Sequence, residues 1–393
     1  MQRILILGGG VGGTLTANLL VKKLRARIDR GEVEVLVVDA TGQHVYQPGF
    51  MYIAMGGERA ANLQRPERSL LDKRVTLVVG EVAKVDEVRQ VVTLTDGLPL
   101  GYDYLVLATG SRIVPEAIEH FETEAHHFYT AEGAAKLRAS LDAFDGGRIV
   151  IGIAGMPYKC PPAPLEVAFL IESEMRDRKI RDRTTIDFCS PIGRAFTIES
   201  VSDMATPILE TKSIELHTFF NVETIDPERK VVQSLEGEEL PYDLLILVPP
   251  HKGQQFLMDS GLAPAPGGWL PTDRHTLLVG DRPNVYALGD ATDLPLSKAG
   301  STAHFEAPVV ASRIASLVRG TAPKANYGGR VMCFLETGGG KATALRFDYE
   351  HPPVPPKPGR VWHWAKWMFN RLYWETVPQG RIPEPAWKRG GKG

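Results

Sequence analysis

From residue 4 to residue 39 the chain reads as an apolar run, a glycine cluster, an amphipathic stretch, a second apolar run and an acid, and few folds accept those features in that order. Residues 4–7 are continuously apolar, as a strand buried on both faces must be. Gly8-Gly9-Gly10-Val11-Gly12-Gly13 follows without a spacer and matches G-x-G-x-x-G at Gly8, Gly10 and Gly13. Gly8 permits the tight turn out of the strand, Gly10 lets the backbone approach a pyrophosphate, and Gly13, with Gly12 beside it, brings helix and strand close. A helix is predicted over 14–27, with Leu15, Leu19, Leu20 and Leu24 on one face. Its start offers free N–H groups and a positive dipole end to phosphates. A strand over 33–38 ends in Asp39, a carboxylate that can accept hydrogen bonds from a ribose. The segment therefore predicts an α/β fold with a dinucleotide-binding first unit.

Two later strands extend the pattern, one over 104–107 closing in Ala108-Thr109-Gly110, the other over 284–288 closing in Gly289-Asp290. Between them a strand over 148–154, a helix over 164–176 and a strand over 184–188 form a second α/β block. The expected organisation is two Rossmann-like dinucleotide-binding domains. Residues 1–112 and 240–319 form the first, 113–239 the second, and 320–393 a C-terminal region. A length of 393 residues with 43% hydrophobic and 23% charged side chains suits two globular domains plus an appendage. With 45 basic and 47 acidic residues the net charge is −2, which argues against a nucleic-acid binder. Three cysteines (Cys160, Cys189, Cys333) are too few for a disulfide-built scaffold. The first residues enter a strand directly, so no secretory leader is expected, and no stretch approaches the ~18 apolar residues of a spanning helix.

After residue 319 the character changes. A short strand is expected over 327–335, then a stiff proline-rich stretch over 351–358. Residues 361–374 hold four of the six tryptophans. Residues 357–393 carry eight Lys/Arg and two Asp/Glu, against 37 and 45 in the remainder. At helical spacing His363, Lys366 and Asn370 form one polar edge of 361–374, and the rest is rich in Trp, Phe and Tyr. Such a segment suits a bilayer interface with anionic lipid; the same pattern also suits a helix packed on the body.

Gly8 to Gly13, Asp39, Ala108-Thr109-Gly110 and Gly289-Asp290 together resemble the two-dinucleotide-domain flavoproteins, the disulfide reductases and their relatives, with a glutathione-reductase-like fold. That resemblance implies FAD, with its ADP half on the glycine turn and Asp39, the backbone of Val82 near the adenine, Thr109 and Gly110 along the cofactor, and Gly289 and Asp290 at the ribityl and pyrophosphate region. NADH-using relatives repeat the glycine motif in the second domain. Here that place reads Gly152-Ile153-Ala154-Gly155-Met156-Pro157, then Tyr158-Lys159-Cys160-Pro161-Pro162-Ala163-Pro164. Prolines remove N–H donors where a second pyrophosphate would need them, so a nicotinamide site is not expected.

The stretch from Lys159 to Glu166, Val248-Pro249-Pro250-His251, Lys298-Ala299-Gly300 and Tyr327-Gly328 followed by Met332-Cys333 resemble the sulfide:quinone oxidoreductases. The resemblance implies that Cys160 and Cys333 form a disulfide or sulfur-bridged pair beside the flavin. Hydrosulfide, a soft nucleophile largely ionised at neutral pH, would attack that bond and leave a persulfide and a thiolate that donates an electron pair. Glu166 reads either as a helix-dipole partner or as the proton acceptor for sulfide. His251 is placed at the same pocket, Lys298 near the flavin's pyrimidine edge, and Cys189 in the core. Some relatives carry a third cysteine upstream; residues 126–130 have none, so FAD is expected to be non-covalent.

The resemblance also implies a quinone pocket of Met332, Lys366 and Phe369, with His304 where relatives carry an acid. No haem or iron–sulfur cysteine pattern offers another electron acceptor. The partners implied are hydrogen sulfide, a membrane quinone and a membrane surface, with assembly as a homo-oligomer; no metal is expected. Rival readings are the flavin subunit of a flavocytochrome c-type sulfide dehydrogenase, a type II NADH:quinone dehydrogenase, and a membrane-docking flavin protein without turnover.

Overall fold

The computed structural model describes residues 1–381. In chain order, β1 (Gln2–Leu7), α1 (Val11–Asp29), β2 (Val33–Asp39), β3 (Val75–Val79) and β4 (Tyr104–Leu107) come first. Next are β5 (Ala125–His126), β6 (Gly147–Ile153), α2 (Ala163–Asp177), β7 (Thr184–Ser190), β8 (Ile214–Thr218) and β9 (Leu244–Val248). Then follow β10 (Val285–Ala287), α3 (Gly300–Val318), the hairpin of β11 (Val331–Gly338) and β12 (Lys341–Phe347), and α4 (Arg360–Thr376).

The first sheet is parallel in the order β10-β4-β1-β2-β3. Strand alternation divides its apolar residues between two cores. Ile4 and Ile6 pack with Leu15 and Leu20 of α1 and with α3, whereas Leu5 and Leu7 pack with Val85, Val92 and Leu94. Those last three belong to an antiparallel meander of Val82–Asp86, Val91–Leu94 and Pro99–Gly101. Both faces are covered, which is why the strands read as unbroken apolar runs.

The second sheet repeats this plan, parallel in the order β5-β9-β6-β7-β8. One face lies against α2 and the other against a second meander of Val222–Asp226, Val231–Ser234 and Glu239–Pro241. Cys189 lies on β7 in that second core, as expected. The chain crosses between units through Arg112–Ile113 and His251–Lys252, which pair antiparallel. This corrects the expected return to the first unit at residue 240, because β9 hydrogen-bonds β6 in the second sheet. A buried parallel strand is apolar on both faces, so its sequence does not say which sheet takes it.

The C-terminal hairpin lies against α2, with α4 against β12. β11 starts at Val331; Tyr327 before it is buried in a loop, its N–H donating to the His275 carbonyl and its hydroxyl to the Arg330 carbonyl. α4 is inverted relative to an ordinary surface helix. Its polar residues Lys366, Asn370 and His363 face protein partners, whereas Val361 (77% exposed), Trp364 (61%), Trp367 and Met368 point outward. Among the described residues no helix is long and apolar enough to cross a membrane.

Candidate active site

The glycine turn has the geometry its sequence demands. Gly8 adopts φ +104°, and a Cβ there would come within 2.4 Å of the Ala108 carbonyl oxygen. At Gly13 a Cβ would lie 1.9 Å from the Gly8 oxygen, and at Gly12 2.3 Å from the Leu288 side chain. Those two glycines let α1 close onto β1 and β10. Gly10, the N-cap of α1, is different: nothing lies within 4 Å of its would-be Cβ, and the same holds at Gly110. The Asp39 carboxylate ties the turn together, accepting from the N–H groups of Gly9 (2.9 Å), Thr41 (2.9 Å) and Gly42 (2.7 Å). Val82 opens the first meander. Near the turn, buried Thr14, His44 and Glu67 interlock, with the Thr14 hydroxyl donating to Glu67 at 2.7 Å and His44 Nε2 lying 2.7 Å from the Tyr373 hydroxyl of α4.

Where the two units meet, several buried polar atoms have no partner among the described residues: Thr109 Oγ1, Ser111 Oγ, His251 Nε2 and Glu306 Oε1. The other Glu306 oxygen accepts from the Gly289 N–H at 2.6 Å, and burial pushes its carboxyl up to about 8. Burial raises the Asp290 carboxyl, opposed by Lys159 and Lys298. Lys298 Nζ donates to the carbonyls of Asp290 (3.0 Å) and Thr292 (2.7 Å) and lies 3.8 Å from the centre of the Trp269 ring. Burial brings its ammonium down to about 8. His251 bonds the Pro249 carbonyl through Nδ1 at 2.7 Å, and burial, with Lys159 and Lys298 nearby, drives it down to about 3, so it is neutral.

Cys160 follows at once. Its φ of +53° lies in the left-handed region that non-glycine residues rarely adopt. Two bonds hold it there: its N–H donates to the Lys298 carbonyl at 2.7 Å and its carbonyl accepts from Ala163 N at 2.9 Å. Both Cys160 and Cys333 are half-buried free thiols packed on one apolar cluster. Burial raises the Cys160 thiol, with Glu166 and Cys333 adding to the rise. The Cys333 thiol is pushed up to about 12 by burial, opposed by the Ser301 hydroxyl at the start of α3. The fold thus packs two cysteines 173 positions apart on one apolar cluster, one before α2 and one on β11.

Glu166, in the first turn of α2, is buried and accepts from the Glu336 N–H at 2.7 Å and from the Lys366 ammonium of α4. Burial raises its carboxyl against the pull of Lys366. Burial works against the Lys366 charge, yet Glu166, Tyr52 and Glu336 around it hold the ammonium above the usual range. Its Nζ also stands 5.6 Å from the centre of the Tyr52 ring. Buried Glu336 in turn meets His363 Nδ1 at 3.0 and 3.2 Å. Neighbouring strand residues point to opposite faces, so Met332 lies across β11 from Cys333 and on the same side as Phe334. The Phe334 ring is 6.4 Å from that of Phe369. His304 lines a cavity of about 540 Å³ with Leu15, Leu19, Tyr327 and Gly380. It stands three residues after Ser301 on α3, and the Ser301 hydroxyl accepts from the Met332 N–H at 3.3 Å.

Residues 2–314 match the family model described as pyridine nucleotide-disulphide oxidoreductase. The chain belongs to that family. Among curated relatives, the mitochondrial sulfide:quinone oxidoreductase of Mus musculus is 24% identical over 98% of this chain and 88% of its own length. The corresponding protein of Schizosaccharomyces pombe is 28% identical over 96% of this chain and 85% of its own. Among solved structures, the sulfide:quinone oxidoreductase of Aquifex aeolicus superposes with a TM-score of 0.87 at 22% identity, covering 98% of this chain and 93% of that one. The cofactor of this pyridine nucleotide-disulphide oxidoreductase is FAD. Its residues fit that group: open space at Gly10, a helix start behind it, and unpartnered buried polar atoms at Thr109, Ser111 and His251 where the units meet.

Sequence reasoning missed Glu336, Tyr52 and the His44–Glu67 pair. Glu336 left one usable trace, a lone acid inside the otherwise apolar and small run of β11, which burial permits only with a cationic partner. The His44–Glu67 pair lies in short irregular segments with no periodicity to read.

Proposed function

We propose that the chain is a sulfide:quinone oxidoreductase that oxidises hydrogen sulfide to zero-valent sulfur or polysulfide. The observation that carries this reading is that Cys160 and Cys333 pack on one apolar cluster, with the buried Glu166 carboxylate close enough to raise both thiols. Hydrosulfide attacks one sulfur of the oxidised pair; the cysteine–cysteine bond breaks and a new sulfur–sulfur bond leaves a persulfide on one cysteine and a thiolate on the other. Glu166, its carboxyl raised by burial, receives the sulfide proton. FAD, when bound, would supply the two-electron carrier between the cysteine pair and the quinone. On the far side of β11, Met332 and Phe369 bracket the quinone ring and Lys366 stabilises its reduced oxygen. The Glu166–Lys366 contact then joins the sulfide side to the quinone side. The outward aromatic face of α4 seats the protein on a membrane surface, where the quinone is dissolved.

The test is an anaerobic sulfide titration read at the flavin absorbance. Sulfide bleaches the wild-type flavin and a soluble quinone restores it. Cys160→Ser and Cys333→Ser keep FAD but lose bleaching by at least about a thousandfold, the scale of removing a covalent nucleophile. Wild-type bleaching in both variants refutes the mechanism.

A further inference from the structure

Proton stoichiometry leaves a gap in that reading. Hydrosulfide becomes zero-valent sulfur by losing two electrons and one proton. A quinone becomes a quinol by taking two electrons and two protons. Every turnover that starts from hydrosulfide therefore draws one proton from solvent, and this proton has to reach the buried Glu166–Lys366 pair. Both members of that pair are almost fully buried.

Resting on the sulfide:quinone reading, we infer that Glu336 and His363 form the port through which this proton enters. The His363–Glu336 ion pair leads inward from the surface, and Glu336 is tied to Glu166 through its backbone N–H and to Lys366 through its charge. His363 on α4 is 40% exposed, and its Nδ1 lies 3.0 Å from one Glu336 oxygen and 3.2 Å from the other. Glu336 is itself buried, and its N–H donates to the Glu166 carboxylate at 2.7 Å. Its charge also helps to raise the Lys366 ammonium. His363 and Lys366 stand three residues apart on α4, on one helical face, so both turn toward the same strand. Groups facing the Glu336 carboxylate come from three elements: His363 and Lys366 of α4, Glu166 of α2, and Tyr52 of the short helix Phe50–Ala54. Across the hairpin β12 sets the uncharged Ala342 opposite it. Histidine exchanges protons with solvent near neutrality as no other unperturbed side chain does. The carboxylate behind it hands the proton on to the Lys366–Glu166 pair as the quinone is reduced. Neither residue touches sulfide or quinone; they act through Lys366 and Glu166.

The two half-reactions separate this port from the reading it rests on. Full-length holoenzyme, wild type, Glu336→Gln and His363→Gln, is mixed anaerobically with sulfide, and flavin bleaching is followed. In a second arm dithionite-reduced holoenzyme is mixed with a soluble short-chain quinone and reoxidation is followed. Both variants retain FAD and bleach with sulfide at the wild-type rate, while reoxidation slows about a hundredfold, the scale of losing a positioned proton donor. Added imidazole restores reoxidation in His363→Gln, where it can occupy the surface end of the path. It does not restore Glu336→Gln, where the interior step is missing. A purely structural role gives no such split. Wild-type reoxidation in both variants, or slow reoxidation of His363→Gln that imidazole leaves untouched, overturns the port. Failure of sulfide to bleach the wild type overturns the parent reading instead, and the dithionite arm still reads the port alone. If Glu336→Gln does not fold, His363→Gln with imidazole decides the matter.

Discussion

A single ammonium, that of Lys366, holds the candidate site together. It stands among Glu166, Glu336 and Tyr52 in a place from which solvent is nearly excluded. Breaking one partner of a buried pair costs about 3–5 kcal/mol, because the surviving charge has neither water nor a counter-ion. Lys366→Met should therefore lower stability by about that amount, and the loss should depend on pH. Burial already raises the Glu166 carboxyl above its ordinary 4.5, and Lys366 opposes the rise. Without the lysine it rises further, so the folded state keeps a proton that the unfolded chain releases. Stability then falls as pH increases from about 4.5 upward. Denaturant midpoints of the variant should be lower at pH 8 than at pH 5, with a smaller difference in the wild type; the opposite order contradicts the account. Lys366 and Glu166 were both legible, the first from a motif and the second from its place on a helix start. Their direct contact was not, since nothing in either segment refers to the other 200 positions away.

At the scale of elements, α4 shows why a helical pattern does not say which face is covered. Amphipathicity predicts that the apolar side packs and the polar side meets water. Here buried acids on α2 and β11 need cations, so the polar edge turns inward and Trp364 and Trp367 turn out. Removing the whole helix would strip Lys366 from Glu166 and Tyr373 from His44, so truncation would confound anchoring with damage to the site. Trp364→Asp with Trp367→Asp avoids this. Taking two large apolar side chains out of a bilayer interface costs on the order of 3 kcal/mol, roughly a hundredfold in partitioning. Co-sedimentation with vesicles of mixed anionic and zwitterionic lipid should fall by that factor while sulfide still bleaches the flavin. Undiminished co-sedimentation would remove α4 as the anchor.

For the molecule as a whole, the two units are copies of one plan, and the copying reaches single residues. The meander and last strand over 81–110 recur over 221–250 at a constant offset of 140, with Gly97 matched by Gly237 and Asp103 by Asp243. Asp103 accepts from Arg3 N at 2.6 Å, and Asp243 accepts from Arg148 N at 2.7 Å, the same brace in each copy. This repeat, present in the sequence, would have assigned Leu244–Val248 to the second unit. The copies diverge at the ligand end. Where the first unit has its glycine turn, the second enters α2 through Pro162, with a further proline in the first turn. Donors for a second pyrophosphate are thus missing, and NADH added anaerobically should leave the flavin oxidised on the timescale on which sulfide bleaches it; bleaching by NADH would favour the dehydrogenase rival. The sequence by itself determined the βαβ order, the phosphate turn, the loss of that turn in the second unit and the candidate cysteines. These are local requirements, met by neighbouring residues through strand pleat, glycine geometry and missing N–H groups. Only the tertiary structure decided that Cys160 and Cys333 pack on one cluster, that Glu336 backs His363 and that Trp364 and Trp367 of α4 face outward. Those outcomes depend on which distant groups share a buried space, where charge must find charge, and no short stretch of chain carries that information.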